Sequence, residues 1–170
     1  LAPGSTPASL ARMVADAKAR RLFVDAGTAA DFTGSPVPLT RLDDDFEAWL
    51  APAGASPRSV TIARESPFNI IYSSGTTGEP KGIVQPHGMR WAHVRRGLPY
   101  GYGPGAITLL ATPLYSNTTL VVFFPSLAFG GSVVLMPKFD TLGYLQLAER
   151  VRATHTMLVP VQYQRLMACA

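Results

Sequence analysis

Cysteine is almost absent from this chain of 170 residues, which contains only Cys169. A single cysteine cannot form an internal disulfide bond, and chains without disulfides are typical of reducing compartments. The composition therefore argues against the disulfide-rich secreted domains and predicts a cytoplasmic location.

Long apolar segments are also missing. The most apolar run, LVVFFPSLAF at residues 120–129, is too short to cross a bilayer and contains Pro125. We therefore expect no membrane span, and we interpret this run as part of a buried helix. The chain begins at Leu1 rather than Met, and its last residues, LMACA, fall inside a helical pattern. We expect it to be a fragment of a longer protein.

Charge of one sign is not concentrated anywhere in the chain. Lys and Arg number 15 against 11 Asp and Glu, which gives a net charge of +4 that is scattered along the sequence. Only Arg90, Arg95 and Arg96 come close together, and we expect them to form a solvated helix face. Nucleic-acid-binding domains gather basic residues on one surface, so we expect no nucleic-acid partner.

Helical and strand-like patterns alternate along the chain. The segment SLARMVADAKARR carries Leu10, Met13, Val14 and Ala17 at helical spacing. Residues 26–67 are rich in Gly, Pro, Ser and Asp, which is typical of a meandering connection, interrupted by DDDFEAWL, which predicts a short helix. This alternation predicts an α/β fold with a mainly parallel sheet flanked by helices, in which residues 1–170 form a single sub-domain. The predicted strands are 22–25, 68–73, 107–111, 133–136 and 156–159, and the later predicted helices are 88–97, 118–129 and 141–153.

Small and hydroxylated residues cluster in YSSGTTGEPKG, at residues 72–82, between two strand-like segments. Glycines let a backbone approach an anion closely, four hydroxyl groups can donate hydrogen bonds, and Lys81 adds a mobile positive charge. The pattern therefore indicates a loop that holds a polyphosphate. It differs from the P-loop of kinases and GTPases, because Pro80 precedes the lysine and Gly82 follows it. The alternative is a glycine-rich hairpin loop that binds nothing.

The longer string YSSGTTGEPKGIVQPHG closely resembles the phosphate-binding signature of the adenylate-forming superfamily, which includes acyl-CoA synthetases and the adenylation domains of peptide synthetases. ATPLYSNTTL, GGSVVLMPKFD and THTMLVPVQYQRLM resemble the segments that follow it in acyl-CoA synthetases. The resemblance implies a Rossmann-like or flavodoxin-like sub-domain of the large N-terminal domain. Residues 68–170 would form the phosphate-loop core, and residues 1–67 would form the preceding helix, strand and connection.

The resemblance implies an AMP-forming acid–thiol ligase that uses ATP with Mg²⁺, a small carboxylic acid and coenzyme A. The acid attacks ATP to give an acyl-adenylate, and coenzyme A then displaces AMP. The residues that match the family's ATP phosphate-binding loop are Ser73, Ser74, Gly75, Thr76, Thr77, Gly78 and Lys81. The family's metal ligand and catalytic lysine lie in segments that this sequence does not contain, so we expect no metal ligand here and no activity from the 170 residues alone.

One position departs from the family pattern. Many members have a histidine in PxFH or PLYH, where this chain has Pro113, Leu114, Tyr115 and Ser116. The resemblance therefore implies an acyl and adenylate pocket formed by Tyr115, Ser116 and Asn117, without an imidazole.

Two alternatives to an acyl-CoA synthetase are left open. One is a non-catalytic binding module that keeps the fold, and the other is an adenylation domain for amino or aryl acids. The acid itself, whether fatty, aromatic or amino, is not determined by the sequence.

Overall fold

The computed structural model describes residues 1, 4–74 and 80–169. The chain divides into two compact units, one formed by Leu1–Ile62 with Asn69–Val84 and the other by Ala63–Phe68 with Gln85–Ala170. That residues 1–170 together form a single sub-domain stays a prediction.

The described helices and strands follow the predicted alternation. The helices are α1 Pro7–Asp16, α2 Phe46–Trp49, α3 His87–Arg96, α4 Asn117–Ala128, α5 Thr141–Val151 and α6 Pro160–Met167, with short 3₁₀ turns at Ala29–Phe32 and Leu98–Tyr100. The strands are β1 Leu22–Val24, β2 Leu39–Arg41, β3 Pro67–Ser74, β4 Pro80–Pro86, β5 Ile107–Leu110, β6 Ser132–Leu135 and β7 His155–Thr156. Within the described ranges, no helix is long and apolar enough to cross a membrane.

The first unit begins with α1, whose N-terminus is capped by a threonine side chain. The Thr6 hydroxyl accepts a hydrogen bond from the Ser9 backbone N–H at 3.2 Å, and Pro7 occupies the first turn, where its missing N–H costs nothing. Of the four apolar residues predicted to share one face, Leu10, Met13 and Val14 are buried, whereas Ala17 caps the end of the helix and is half-buried. Helical spacing in the sequence therefore identified the buried face of this helix correctly.

Two short strands of this unit, β1 and β2, pair in parallel, with Leu22 opposite Leu39. Strand β2 lies inside the segment that the sequence predicted to be a meandering connection. Three residues between proline- and aspartate-rich neighbours are too few to show a strand period, so this strand was missed.

The second unit contains a three-stranded parallel sheet in the order β6, β5, β7. Successive residues of β5 point to opposite faces, and each face meets a helix. The Thr108 hydroxyl lies 2.6 Å from that of Ser126 on α4. Leu109, in contrast, belongs to a buried cluster with Tyr144 of α5 and Leu158. Helices therefore cover both faces of this sheet.

The α/β fold class with parallel strand pairing is thus confirmed, with two differences in detail. The described strands are distributed over three sheets, of two, two and three strands. In addition, β7 ends at Thr156, whereas the sequence predicted a strand to residue 159. Pro160 opens α6, and a proline restricts the residue before it to extended backbone while it lacks the N–H needed for sheet pairing.

Candidate functional site

Strands β3 and β4 pair in a two-stranded sheet on either side of the glycine-rich segment. Gly82 of β4 lies against the side chains of β3: a Cβ atom added there would come within 3.1 Å of Ile70 Cγ2 and of the Tyr72 ring. Real Cβ atoms seldom approach so closely, so the absent side chain at Gly82 leaves room for the tyrosine. This packing explains why a glycine occupies position 82, whether or not a ligand binds nearby.

The Tyr72 ring also ties β3 to α1. Its hydroxyl oxygen lies 3.0 Å from the Met13 carbonyl oxygen and 2.6 Å from Asp16 Oδ2. Burial, followed by the hydrogen bond and the negative charge of Asp16, raises the pKa of Tyr72 to about 12. The neutral tyrosine therefore anchors the strand that leads into the candidate phosphate loop.

Ser73 and Lys81 lie on the face of this sheet opposite to Tyr72 and Gly82, because side chains alternate along a strand. Both residues are exposed. The backbone of Ser74 completes β3, while Gly75, Thr76, Thr77 and Gly78 lie outside the described residues. Of the predicted phosphate-binding set, the structure thus brings Ser73 and Lys81 to one solvent-accessible face.

The loop from β5 to α4, residues 111–116, carries the predicted acyl-pocket residues and is held by buried polar groups. The Gln162 side-chain N–H donates to the Ala111 carbonyl oxygen at 3.0 Å, at the point where β5 ends. The Thr119 hydroxyl donates to the Pro113 carbonyl oxygen at 2.6 Å, and the Ser116 N–H bonds the same carbonyl at 3.0 Å. Because Thr119 and Gln162 are both buried, these bonds fix the path of the loop.

At the end of this loop, Ser116 occupies the N-cap position of α4, but its side chain makes no capping hydrogen bond. Tyr115 remains 43% exposed, which argues against simple core packing of its ring. The Tyr115 and Ser116 hydroxyl groups are therefore not committed to the core or to the helix cap.

Asn117 is positioned by two residues that the sequence analysis did not assign to the site. Its side-chain oxygen accepts a hydrogen bond from Arg90 Nη1 at 2.9 Å and another from Gln85 Nε2 at 3.3 Å. Both donors are buried, with Arg90 only 4% exposed. The side-chain oxygen of Asn117 is therefore turned toward α3 and the end of β4.

The expectation that Arg90 belongs to a solvated helix face is wrong. Its guanidinium carbon lies 5.5 Å from the centre of the Phe124 ring, and burial lowers the pKa of Arg90. The cation is instead stabilised by the amide of Asn117 and by the aromatic face. Arg95 and Arg96 are exposed, as predicted.

A cavity of 760 Å³ lies beside α3, α4 and β7 in the second unit. It is lined in part by Val121 and Val122, which follow Asn117 by about one helical turn along α4. The other lining residues are His93, Arg96, Gly97, Tyr100, Tyr102, Thr154, His155, Thr156 and Met157.

The His155 imidazole forms one wall of this cavity and is fixed on three sides. Its ring stacks on that of Tyr102, with centroids 4.2 Å apart and planes inclined by 26°. His155 Nε2 lies 2.7 Å from the Tyr100 carbonyl oxygen, and Nδ1 lies 2.7 Å from the Thr154 hydroxyl oxygen. Since a carbonyl can only accept, Nε2 carries the proton in the neutral ring and Nδ1 accepts from Thr154.

No group of three or more His, Cys, Asp or Glu side chains that could hold a metal ion occurs among the residues the structure describes.

Proteins similar to this chain in sequence include two that are named as CoA ligases. The chain is 28% identical over 176 residues to 4-coumarate–CoA ligase-like 8 of Arabidopsis thaliana, covering 93% of this chain and 32% of that protein. It is 35% identical over 130 residues to indoleacetate–CoA ligase of Aromatoleum aromaticum, covering 72% and 25%. The chain thus spans about a third or less of the length of these relatives.

Solved structures show the same fold. ATP-bound MatB from Rhodopseudomonas palustris superposes with a TM-score of 0.79 at 29% identity, covering 98% of this chain and 35% of that one. The o-succinylbenzoate CoA synthetase of Bacillus subtilis, in complex with an acyl-adenylate intermediate, superposes with a TM-score of 0.82 at 22% identity, covering 100% and 44%. The family model described as AMP-binding enzyme matches residues 1–170, and the chain therefore belongs to the AMP-binding enzyme family of adenylate-forming proteins.

Proposed function

We propose that this chain is part of an AMP-forming acyl-CoA synthetase that joins a carboxylic acid to coenzyme A at the expense of ATP. The observation that carries the proposal is the match to the AMP-binding family over all 170 residues. The names of the relatives support it, since the proteins from Arabidopsis thaliana and Aromatoleum aromaticum are both named as CoA ligases. Cytoplasmic location remains part of the proposal.

In the proposed first step, a carboxylate oxygen attacks the α-phosphorus of ATP, and the bond to the bridging oxygen of pyrophosphate breaks. In the second step, the thiol sulfur of coenzyme A attacks the acyl carbon, AMP leaves, and the thiol proton passes to solvent. The carboxylate is already a nucleophile, so the protein chiefly has to position the reactants and stabilise developing charge.

We assign the β- and γ-phosphates of ATP to the segment between β3 and β4, with contacts from Ser73, Ser74, Gly75, Thr76, Thr77, Gly78 and Lys81. The exposure of Ser73 and Lys81 on one face of the sheet supports this assignment, because neither group is occupied in the core. Lys81 would neutralise part of the phosphate charge, and the serine hydroxyl would donate to a phosphate oxygen.

We assign the acid and the adenylate to Tyr115, Ser116 and Asn117. The uncommitted hydroxyl groups of Tyr115 and Ser116 are the donors available there to an acyl or phosphate oxygen. Asn117 has its side-chain oxygen bonded to Arg90 and Gln85, so its part is to hold the start of α4 in place. By the family resemblance, Ser116 stands at the position where many members have a histidine.

We further propose an aryl acid as the carboxylic acid substrate and ATP with Mg²⁺ as the nucleotide substrate. Several relatives are named for aromatic acids, including coumarate, indoleacetate and ferulate, which favours an aryl acid over a fatty acid. Solved relatives include an ATP and magnesium complex, which supports ATP with Mg²⁺ as the nucleotide substrate, the metal being held by segments outside this chain.

The test is acid-dependent release of pyrophosphate from ATP by the full-length protein that contains this chain, followed by thioester formation when coenzyme A is added. We expect release with at least one aromatic acid and none without acid. The 170 residues alone should release no pyrophosphate. Absence of acid-dependent release by the full-length protein, across fatty, aromatic and amino acids, would contradict the proposal and favour a non-catalytic module.

A further inference from the structure

The cavity beside α4 is lined by Val121 and Val122, about one helical turn beyond Asn117 of the proposed acyl site. Val121 lies four residues after Asn117, about 6 Å further along the helix, and so shares its helix face. An acid whose carboxylate is held at the start of α4 therefore has space for its remaining atoms along this helix. The volume of 760 Å³ lies in the range of small-molecule sites.

The lining of this cavity is not that of a fatty-acid tunnel. Among the described lining residues, Val121, Val122 and Met157 are the wholly apolar aliphatic or thioether side chains, whereas aromatic and polar residues supply most of the remainder. The stacked pair of Tyr102 and His155 presents a flat wall. Because both nitrogens of His155 are hydrogen-bonded within the protein, this wall is held rigidly and suits a planar ring.

The charge of the lining is one-sided. Arg96 contributes a permanent positive charge, and no Asp or Glu occurs among the lining residues. Arg96 is exposed and forms no ion pair with a described residue. His93 adds a second polar group, since its Nδ1 atom is buried and has no hydrogen-bond partner among the described residues.

Burial, with the charges of Arg90 and Arg96, lowers the pKa of His93. The imidazole is therefore neutral near pH 7, and it can complement a ligand by a hydrogen bond rather than by charge.

On the basis of the proposed function, we infer that this cavity selects an aromatic acid that carries a second anionic group. The ring lies against Tyr102 and His155, and the second anion pairs with Arg96. The carboxylate that reacts remains at the start of α4. A straight-chain fatty acid would offer no anion to the guanidinium and would replace a stacked ring with a flexible chain.

The experiment compares kcat/KM for pyrophosphate release by the full-length protein with three matched acids and one aliphatic acid. The matched set is cinnamate, its para-carboxylate derivative and its para-carboxamide derivative, and the aliphatic acid is decanoate. We expect the para-carboxylate to exceed the para-carboxamide by about ten-fold or more, as a charge-assisted hydrogen bond predicts. Decanoate should be the poorest of the four substrates.

Arg96→Gln should reduce the ratio of para-carboxylate to para-carboxamide to about one, and Arg96→Lys should restore part of it. The matched control is Arg95→Gln, because Arg95 is the exposed neighbour on α3 that does not line this cavity. The Arg95 variant should keep the wild-type ratio.

Three outcomes overturn the inference while the proposed function stands: decanoate is the best substrate, the para-carboxamide equals the para-carboxylate, or Arg96→Gln lowers kcat/KM for every acid alike. The last result would give Arg96 a purely structural role. If no acid releases pyrophosphate, the proposed function itself fails, so the two failures are distinguishable.

Discussion

Arg90 on α3 donates a hydrogen bond of 2.9 Å to the side-chain oxygen of Asn117, the first residue of α4. The bond joins two helices through a guanidinium that is 4% exposed. A buried cation depends strongly on such acceptors, because its desolvation is costly. The pair therefore couples the packing of α3 and α4 to the position of the loop that carries Tyr115 and Ser116.

We expect Asn117→Ala to lower the free energy of unfolding by about 1.5–3 kcal/mol, the usual cost of removing a hydrogen bond to a charged group. Asn117→Asp should be less damaging, since it keeps an oxygen acceptor and adds a negative charge beside Arg90. Urea unfolding of both variants checks this. Equal losses in the two variants would show that Arg90 does not depend on this acceptor.

Gly97, at the end of α3, marks a close approach to α4. A Cβ atom added there would lie 2.7 Å from Pro125 Cβ and 3.0 Å from the Val94 carbonyl oxygen. We expect Gly97→Ala to destabilise the protein by about 1–3 kcal/mol through overpacking.

The matched control for this prediction is Gly103→Ala, because a Cβ atom at Gly103 would meet no heavy atom within 4 Å. Thermal unfolding of the two variants should show a lower midpoint for Gly97→Ala only. An unchanged midpoint for Gly97→Ala would mean that α3 and α4 can move apart at this point with little loss in the free energy of unfolding.

The buried face of α1 could be predicted because its signal lies within a few neighbouring residues. The spacing of Leu10, Met13 and Val14 predicted the buried face of α1, because helical periodicity is contained in a short window. The loop that the glycines and hydroxyl residues predict after β3 lies outside the described residues.

The burial of Arg90 and Gln85 could not be predicted in this way. Their shared partner, Asn117, lies 27 and 32 residues further along the chain, and only the fold brings the three together. An arginine on a helix is usually solvated, so local pattern favoured the wrong environment. Gln162, which holds the end of β5, was missed for a similar reason, since its acceptor lies 51 residues away.

Tyr72 makes the stability of the protein sensitive to alkaline pH. Its pKa is raised from 10.0 to about 12 in the folded protein. The folded state therefore binds the phenolic proton more tightly than the unfolded state does. The resulting stabilisation is fully present below pH 10 and is lost as the pH rises from 10 toward 12.

We expect the stability difference between the wild-type protein and Tyr72→Phe to shrink when urea unfolding is measured at about pH 11.5 instead of about pH 9. The phenylalanine variant is the control for lysine residues and other groups that titrate in this range. A difference that stays constant between the two pH values would contradict the role of Tyr72 as a neutral anchor to Asp16.

The phosphate assignment predicts that Lys81→Ala and Thr76→Val weaken the use of ATP and leave the fold intact. Lys81 is exposed on β4, so its removal leaves no cavity. Loss of a charge-assisted hydrogen bond should lower kcat/KM for ATP by about ten- to hundred-fold in the full-length protein, with little change in the melting temperature.

Lys138→Ala is the matched control, since Lys138 is also exposed and lies outside the proposed site. Pyrophosphate release at subsaturating ATP and thermal unfolding should be measured side by side. If Lys81→Ala and Thr76→Val keep the turnover of the Lys138 variant, the segment between β3 and β4 is a glycine-rich hairpin loop without a part in binding phosphate.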